Sequence, residues 1–332
     1  VTNEGYVKRV SKKSYMAVEG ESTLLKEDDY VIGLFEQNTL DTLLIFTNKG
    51  NYLYIPVHLL PELKWKELGK HVSNVVPIKQ DEKIIKAMAI SDFNEREIVT
   101  FTKNGMVKKT LLSEFKVQRY SKPIMYIKLK DNDEVISVCD ENYNDVFIST
   151  KGGYGLWYDK SEIPAIGLKT AGVKAINLKD DLVVSACLFD STSEYVTVIT
   201  HKGLAKRIKL NEFEKTTRAK RGLLLLREVK SNPQEIIYVL VGNSKHNILL
   251  NCSGDTKELK LTEIPIMDRY SIGSTISKKK IDYVYENVSL TKETAEEKTV
   301  NKENKEPKKS EVSLKEIDDK FLTIDDFLNN LD

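Results

Sequence analysis

The sequence predicts an all-β protein, a six-bladed β-pinwheel or propeller-like array of four-stranded blades. Three observations lead to this fold class. A unit of about 50 residues recurs along the chain, each copy contains a strand–turn–strand pattern, and short apolar runs fill the rest of each copy. A period of this length around a hairpin is typical of radial blade architectures, because one small sheet cannot bury both of its faces alone.

The fifth copy shows the unit most clearly. Its first apolar run ends at Thr200, the turn contains Lys202-Gly203, and the second run carries Lys206 and Arg207. Glycine at the turn supplies a positive φ that other residues adopt only at a cost. We therefore interpret this stretch as a β-hairpin.

Alignment on the turn glycine defines six copies of the unit. The glycines are separated by 45, 55, 48, 50 and 51 residues and are Gly5, Gly50, Gly105, Gly153, Gly203 and Gly254. Three residues earlier stand Thr2, Thr47, Thr102, Thr150, Thr200 and Asn251. Ten residues later every copy has an apolar or aromatic anchor, which is Tyr15, Leu60, Phe115, Ile163, Phe213 or Ile264. Two further apolar runs follow each anchor, so we expect four strands per repeat.

The repeats occupy residues 1–286, and two different segments follow them. Residues 287–312 are rich in Lys, Glu, Asn and Thr and poor in apolar side chains, which predicts a disordered linker. Residues 313–332 predict a short acidic amphipathic helix, because apolar residues recur at helical spacing among aspartates. The apolar positions are Ile317, Phe321, Ile324, Leu328 and Leu331. The first residues already lie late in a strand, so we expect the chain to be cut from a longer polypeptide.

The nearly neutral total charge conceals two parts of opposite sign. The whole chain has a net charge of +1, but residues 281–332 contain 14 acidic and 8 basic side chains, whereas residues 1–280 contain 36 acidic and 43 basic ones. A basic body indicates a polyanionic partner. An acidic tail that folds back onto the body would compete with that partner. A solvated tail and a peptide that docks on another protein are the alternatives.

The candidate binding residues are cations that recur in the repeats. Equivalent positions in a radial array fall on one rim, so these cations would form an outer belt. Phosphates repeat along the DNA backbone, and such a belt would hold a bent duplex with little regard to base sequence. The predicted DNA-binding residues are Lys8, Arg9, Lys12, Lys64, Lys66, Lys108, Lys109, Arg119, Lys122, Lys169, Lys174, Lys206, Arg207, Lys209, Arg218, Lys220 and Arg221. The alternative is that the lysines only solvate exposed strands and protect sheet edges.

No catalytic or metal-binding constellation is visible in the sequence. The four histidines, His58, His71, His201 and His246, have neither metal-ligand spacing nor a local acidic partner. The glycines of residues 152–155 belong to a strand turn in register with the other repeats, not to a nucleotide-binding motif. The three cysteines lack a CxxC pair, as expected of buried free thiols in a reducing cytoplasm. No run of 18 apolar residues exists, so no membrane contact is expected.

The unit of Thr200–Arg207, Thr-x-Lys-Gly-x-x-Lys-Arg, with Asn-Glu-Phe after it, resembles a known blade repeat. It is similar to the repeat in the C-terminal domain of the A subunits of bacterial type IIA topoisomerases. Residues 43–50 and 65–69 look like the Gram-positive topoisomerase IV branch of this family in particular. The resemblance covers residues 1 to about 286.

The gyrase branch of the family differs in one stretch. Gyrase A subunits have a basic, glycine-rich box after the first hairpin, with which the family clamps wrapped DNA. The corresponding residues 15–21 read Tyr-Met-Ala-Val-Glu-Gly-Glu here, so two glutamates are present and the arginines are absent. Acidic side chains repel phosphate, and the resemblance therefore favours topoisomerase IV. A gyrase-type wrapping domain and a propeller that binds protein partners are the alternatives.

The resemblance implies a DNA-bending domain without catalytic activity, because the active-site tyrosine of the A subunit lies in another region. The domain would hold the transported DNA segment for ATP-dependent decatenation and supercoil relaxation by the parent enzyme. That enzyme would be a heterotetramer, in which the remainder of the A subunit forms a homodimer that binds the B subunit. No cofactor is expected in this chain, whereas the catalytic region and the partner subunit would use ATP and Mg²⁺. The expected location is the cytoplasm, in association with the chromosome.

Overall fold

The computed structural model describes residues 1–18, 20–227, 229–243, 247–286 and 288 of the 332-residue chain. The chain divides into two compact units, Val1–Leu290 and Thr291–Asp332, and the described residues belong to the first. The predicted linker 287–312, apart from Val288, and the predicted acidic helix 313–332 lie outside the described residues.

The described secondary structure is almost entirely β, as the repeats predicted. The strands are, in chain order, β1 (Tyr6–Val7), β2 (Thr42–Thr47), β3 (Asn51–Pro56), β4 (Lys70–His71), β5 (Ile84–Ile90), β6 (Glu97–Thr102), β7 (Met106–Leu111), β8 (Ile124–Met125), β9 (Val135–Cys139), β10 (Asp145–Thr150), β11 (Tyr154–Asp159), β12 (Val173–Lys174), β13 (Val183–Phe189), β14 (Tyr195–Thr200), β15 (Leu204–Lys209), β16 (Leu223–Leu224), β17 (Ile236–Gly242), β18 (Asn247–Cys252), β19 (Asp255–Lys260), β20 (Ser274–Thr275) and β21 (Tyr283–Glu286). The helices are α1 (Lys12–Met16) and 3₁₀ helices at Val57–Leu59, Val72–Asn74, Leu112–Phe115, Lys160–Glu162, Leu210–Glu212 and Leu261–Glu263. No helix in the described part of the chain is long and apolar enough to cross a membrane.

The strands form successive antiparallel sheets with a hairpin at the centre of each. Four sheets are four-stranded, with the orders β5-β2-β3-β8, β9-β6-β7-β12, β13-β10-β11-β16 and β17-β14-β15-β20. β21-β18-β19 has three strands, and among the described residues β1 pairs only with β4. The described residues thus form five blades of three or four strands. The prediction of six complete four-stranded blades is wrong in this respect.

The outermost strand of each four-stranded blade comes from the next repeat along the chain. The donated strands β8, β12, β16 and β20 pair with β3, β7, β11 and β15. β4 is donated to β1 in the same way. Just after the donated strand, a backbone N–H binds the carbonyl of the turn glycine, as Val72 does to Gly5 and Ile276 does to Gly203, both at 2.8 Å.

The first and last sheets have fewer than four strands among the described residues. β19 has no strand on its outer edge among the described residues, and only Leu259 in it is buried. In the first repeat Thr2 forms a single antiparallel bridge with Val31.

Apolar side chains pack between neighbouring blades. Val99 and Phe101 of β6 belong to one buried cluster with Ile148 and Leu156 of the next blade. Full burial of each such side chain contributes about 1.5–3 kcal/mol, so contacts between consecutive repeats stabilise the array. The predicted anchors are part of this core in five repeats, since Leu60, Phe115, Ile163, Phe213 and Ile264 are buried.

The first and last repeats meet at a set of aromatic contacts that we call the tyrosine seam. The ring of Tyr30 stacks on Tyr285 and Tyr283, with centroid distances of 4.0 and 5.5 Å. Tyr283 Oη donates to the Asp28 carbonyl at 2.8 Å, and the Asn251 amide donates to the Asp28 carboxylate at 3.4 Å. The blades therefore close into a ring, a feature that the sequence did not predict.

Candidate nucleic-acid interface

Five loops lead into the donated strands and lie on the outer edge of successive blades. We call residues 62–69, 116–123, 164–172, 214–222 and 265–273 the first to fifth outer loops. The first, third, fourth and fifth loops begin beside the second hairpin strand of the preceding repeat, as the parallel bridges Lys109–Ala165 and Arg207–Ile266 show. Each loop then turns back into the antiparallel donated strand. Because donated strands are outermost, equivalent loops occupy equivalent rim positions.

The outer loops, together with Lys174 in β12, carry nine of the predicted binding residues. These are Lys64, Lys66, Arg119, Lys122, Lys169, Lys174, Arg218, Lys220 and Arg221. Seven are exposed, and Arg218 and Arg221 are half-buried. The loops thus place cations at the rim of one blade after another, which is the arrangement expected from the repeats.

The cations of the outer loops differ in how far their charge is already used. Lys122, Lys169 and Lys174 form no ion pair with the described residues, so their charges are available to a polyanion. Lys66 forms an ion pair with Glu21 at 2.5 Å. The Arg221 guanidinium lies 3.9 Å from the ring centroid of Tyr154.

Two of the predicted hairpin lysines are buried. Lys108 is 1% exposed and Lys206 is fully buried. Lys108 Nζ donates to the carbonyl oxygens of Tyr126 and Gly167, both at 2.7 Å. Lys206 Nζ donates to three carbonyl oxygens of the fifth outer loop, those of Asp268, Arg269 and Ser271, at 3.0, 2.9 and 2.7 Å. Neither ammonium group projects from the rim.

Lys8 makes the equivalent contacts in the first repeat. Its Nζ donates to the carbonyl oxygens of Trp65 and Glu67 in the first outer loop and to Thr23 Oγ1, each at 2.6 Å. We call Lys8, Lys108 and Lys206 the loop-binding lysines, because each holds the backbone of an outer loop. Burial lowers the pKa of all three, to about 8 for Lys108 and Lys206.

The cations that follow the loop-binding lysines are also engaged within the protein. Arg9 donates to the Leu60 carbonyl at 3.0 Å and forms an ion pair with Glu62 at 2.9 Å. Lys109 forms an ion pair with Glu97 at 2.8 Å. Arg207 Nε donates to the Ile264 carbonyl at 2.7 Å.

The expectation that the hairpin pairs Lys8-Arg9, Lys108-Lys109 and Lys206-Arg207 project outwards is therefore corrected. The physical reason is strand donation, which folds the outer loop of the next repeat over these positions. Contact of these six residues with DNA remains a prediction that no observation tests.

Glutamates that the sequence reasoning missed hold the other side of the outer loops. Glu114, Glu162 and Glu212 accept hydrogen bonds from the backbone N–H groups of Leu168, Arg218 and Arg269, at 3.3, 2.7 and 3.0 Å. The signal was present in the repeats, since each glutamate stands nine residues after its turn glycine. The second repeat has Leu59 at this position. The second outer loop contacts that repeat instead through Tyr120, whose ring stacks on Tyr54 with a centroid distance of 5.5 Å.

The remaining predicted residues lie away from the outer loops. Lys12 is exposed on α1 and pairs with Glu36. Lys209 is exposed at the end of β15. Glu21 of the acidic stretch lies against the first outer loop, because Trp65 Nε1 donates to the Glu21 carbonyl at 2.7 Å. The Glu21 carboxylate forms the ion pair with Lys66, so negative charge lies beside a cation of that loop.

The described residues contain no group of three or more His, Cys, Asp or Glu side chains that could hold a metal ion. Cys139, Cys187 and Cys252 are free thiols, and Cys139 and Cys252 are buried. Burial raises the pKa of Cys139 to about 11. This thiol is therefore in the unreactive protonated form at neutral pH.

Comparison with known proteins identifies the family. The family described as "DNA gyrase C-terminal domain, beta-propeller" matches residues 41–91, 96–138, 144–186 and 194–243. The chain is 45% identical over 278 residues to the A subunit of DNA topoisomerase 4 from Bacillus subtilis strain 168, covering 82% of this chain and 34% of that protein. It is 41% identical over 283 residues to the protein of the same name from Staphylococcus aureus strain MRSA252, covering 83% and 35%. The chain thus spans about a third of the length of these relatives.

Solved structures agree with the sequence relatives. A crystal structure of the C-terminal domain of DNA topoisomerase IV superposes with a TM-score of 0.83 at 45% identity, covering 86% of this chain and 91% of that one. A DNA gyrase A C-terminal domain superposes with a TM-score of 0.65 at 17% identity, covering 87% and 98%, and shows the shared fold alone. The chain therefore belongs to the DNA gyrase C-terminal domain family of β-propellers, and its relatives confirm the expected resemblance to the A subunits of topoisomerase IV.

Proposed function

We propose that residues 1–286 bind duplex DNA along the outer rim and bend it. The observation that carries this proposal is the row of exposed cations on the outer loops, of which Lys122, Lys169 and Lys174 have no ion pair among the described residues. Phosphate contacts at intervals suffice to hold a duplex without reading its bases. Curvature follows because the loops lie on successive blades of a ring.

We infer that the parent protein is a type IIA topoisomerase of the topoisomerase IV kind, which the named relatives support. Its A subunit would use this domain to hold the transported DNA segment during decatenation and supercoil relaxation. The remainder of the A subunit would form the homodimer and contact the B subunit, and ATP and Mg²⁺ would be used in those regions. Such a protein would act on the chromosome.

The proposed DNA contacts can be tested with two matched sets of substitutions. The rim set changes Lys122, Lys169, Lys174 and Lys220 to Gln. The control set changes four lysines in the connections that lead to inner strands, Lys83, Lys130, Lys179 and Lys230, to Gln. Each set removes four charges and includes one residue with a positive φ, Lys169 or Lys179.

Binding of a duplex of about 40 base pairs is measured by gel shift at several salt concentrations. The slope of log K against log salt is negative, and each lost phosphate contact reduces its magnitude by about 0.9. The rim set is therefore expected to reduce the magnitude of the slope by up to about 3–4. The control set is expected to change the slope little. Equal losses from both sets, or unchanged binding by the rim set, would contradict the proposal. Negligible binding by the unaltered chain at low salt would favour a protein-binding propeller instead.

A further inference from the structure

The loop-binding lysines recur on alternate blades. The position three residues after the turn glycine is lysine in repeats one, three and five, namely Lys8, Lys108 and Lys206. The same position is Leu53 and Leu156 in repeats two and four, and both leucines are buried. A buried leucine therefore packs well enough at this position for the hairpin to form, so the packing of the hairpin does not require lysine.

The surroundings of these lysines make the charged form less favourable than it is in water. Burial lowers the pKa of Lys108 and Lys206, which means that the ammonium form is less favourable there than in water. Lys108 forms no ion pair with the described residues, and its partners are the carbonyls of Tyr126 and Gly167 and the hydroxyl of Thr170. A buried charge that costs free energy indicates a role other than stability.

The ammonium groups hydrogen-bond to backbone carbonyls of the outer loops. An ammonium group has three donors, and in Lys206 these bind the carbonyls of Asp268, Arg269 and Ser271, which follow one another around the turn of the fifth outer loop. Carbonyl groups that converge on one nitrogen fix the backbone between them. Arg269, the basic residue of that loop, leaves the same stretch of backbone, and its guanidinium donates to the Leu224 carbonyl at 3.2 Å.

We propose that Lys8 and Lys108 are positioning residues for DNA binding, each of which fixes one outer loop so that the exposed cations on it or next to it, Lys64 and Lys66 or Lys169 and Lys174, meet successive phosphates. Lys206 holds the fifth outer loop in the same way, but the basic residue of that loop, Arg269, is half-buried. The inference rests on the proposed function, because it concerns the same rim. It differs from the sequence-based expectation, since the loop-binding lysines act through their loops and make no phosphate contact of their own.

Lys257 provides an internal control. It stands three residues after Gly254 in the sixth repeat, where no later repeat places a loop over it among the described residues. Its side chain is exposed, and Nζ donates to the Ile276 carbonyl at 3.2 Å. Lys257→Leu removes the same charge as Lys108→Leu without releasing an outer loop.

The test is a double-mutant cycle in the full 332-residue chain. Lys108→Leu introduces the residue that repeats two and four have at this position. It is combined with Lys169→Gln and Lys174→Gln, which neutralise the cations at the third outer loop. If Lys108 acts through those cations, Lys108→Leu weakens DNA binding about 3- to 10-fold alone and has no further effect in the neutralised background. An equal loss in both backgrounds, or no loss from Lys108→Leu alone, would overturn the proposal.

Amide hydrogen exchange provides a readout that does not depend on DNA. Lys108→Leu is expected to accelerate exchange in residues 164–172 but not in 265–273, and Lys206→Leu is expected to do the reverse. Lys257→Leu should leave both loops unchanged. Protection that stays intact in both variants would refute the positioning role. Failure of the Lys169→Gln, Lys174→Gln background to weaken binding would instead refute the proposed DNA interface.

Discussion

The tyrosine seam predicts that the ring can be opened at one place by one substitution. Tyr30→Ala removes two aromatic contacts, to Tyr285 and Tyr283, each of which contributes about 0.5–1.5 kcal/mol beyond burial. It also removes the burial of a half-buried ring, at a cost of about 1 kcal/mol. The seam should therefore lose about 2–4 kcal/mol. The apolar clusters between the other blades do not include Tyr30, so the loss should remain local.

Amide hydrogen exchange followed by mass spectrometry measures this loss segment by segment. A loss of about 2–4 kcal/mol corresponds to exchange that is about 30- to 1,000-fold faster in β21 and β1, with little change in β10 and β14. Tyr30→Phe is the matched control, because it keeps the stacked ring and removes only the hydroxyl. Unchanged exchange at β21, or an equal increase in every blade, would refute a separable seam.

Two further perturbations follow from the turns and from an ion pair. Gly203→Ala should lower the melting temperature far more than Gly254→Ala. Both glycines have a positive φ, so both substitutions strain the backbone. A Cβ on Gly203 would also lie 2.2 Å from the Ser277 carbonyl oxygen, whereas a Cβ on Gly254 would have none of the described atoms within 4 Å. Equal losses would contradict this reasoning. Lys215 binds the carboxylates of Asp159 and Asp145 at 2.7 and 2.8 Å, and its hydrogen bond holds the pKa of Asp159 well below the ordinary range. The stability that this carboxylate contributes is present above its unfolded pKa of about 4 and is lost as the pH falls. Lys215→Met should therefore lower the stability of the protein in urea at about pH 7, and the loss should become progressively smaller below about pH 4. A difference independent of pH would argue against the pair.

The repeat and its turn were predictable because their signals are local. A turn glycine, a threonine three residues before it and an apolar anchor ten residues after it each depend on a few neighbouring residues. Gly203, for example, has a φ of +83° at the predicted turn, and the predicted anchor Phe213 is buried. Six such units also predicted a radial β-structure, whose family the relatives confirm.

Strand donation and the loop-binding lysines were not predictable from such signals. A two-residue strand such as β12 is too short to show alternation, so nothing in it indicates which blade it joins. Lys206 lies in a strand whose pattern is equally compatible with a solvent-facing lysine. Its carbonyl partners lie 62 to 65 residues further along the chain. The loop reaches Lys206 only in the folded chain. The tyrosine seam was not predictable for the same reason, because Tyr30 and Tyr285 are far apart in the sequence.

Strand donation also has a consequence for how the protein is made. The chain of the blade β5-β2-β3-β8 reaches the end of β5 at Ile90, yet the outer edge of this blade stays open until β8, at Ile124–Met125, has left the ribosome. Each new blade would therefore wait, with an unpaired edge, for a piece of its successor. Ribosomes stalled between these points should display a protease-sensitive edge that disappears once the next segment emerges. The repeat seen in the sequence and the blade that folds therefore do not contain the same residues, because a blade takes its outermost strand from the next repeat.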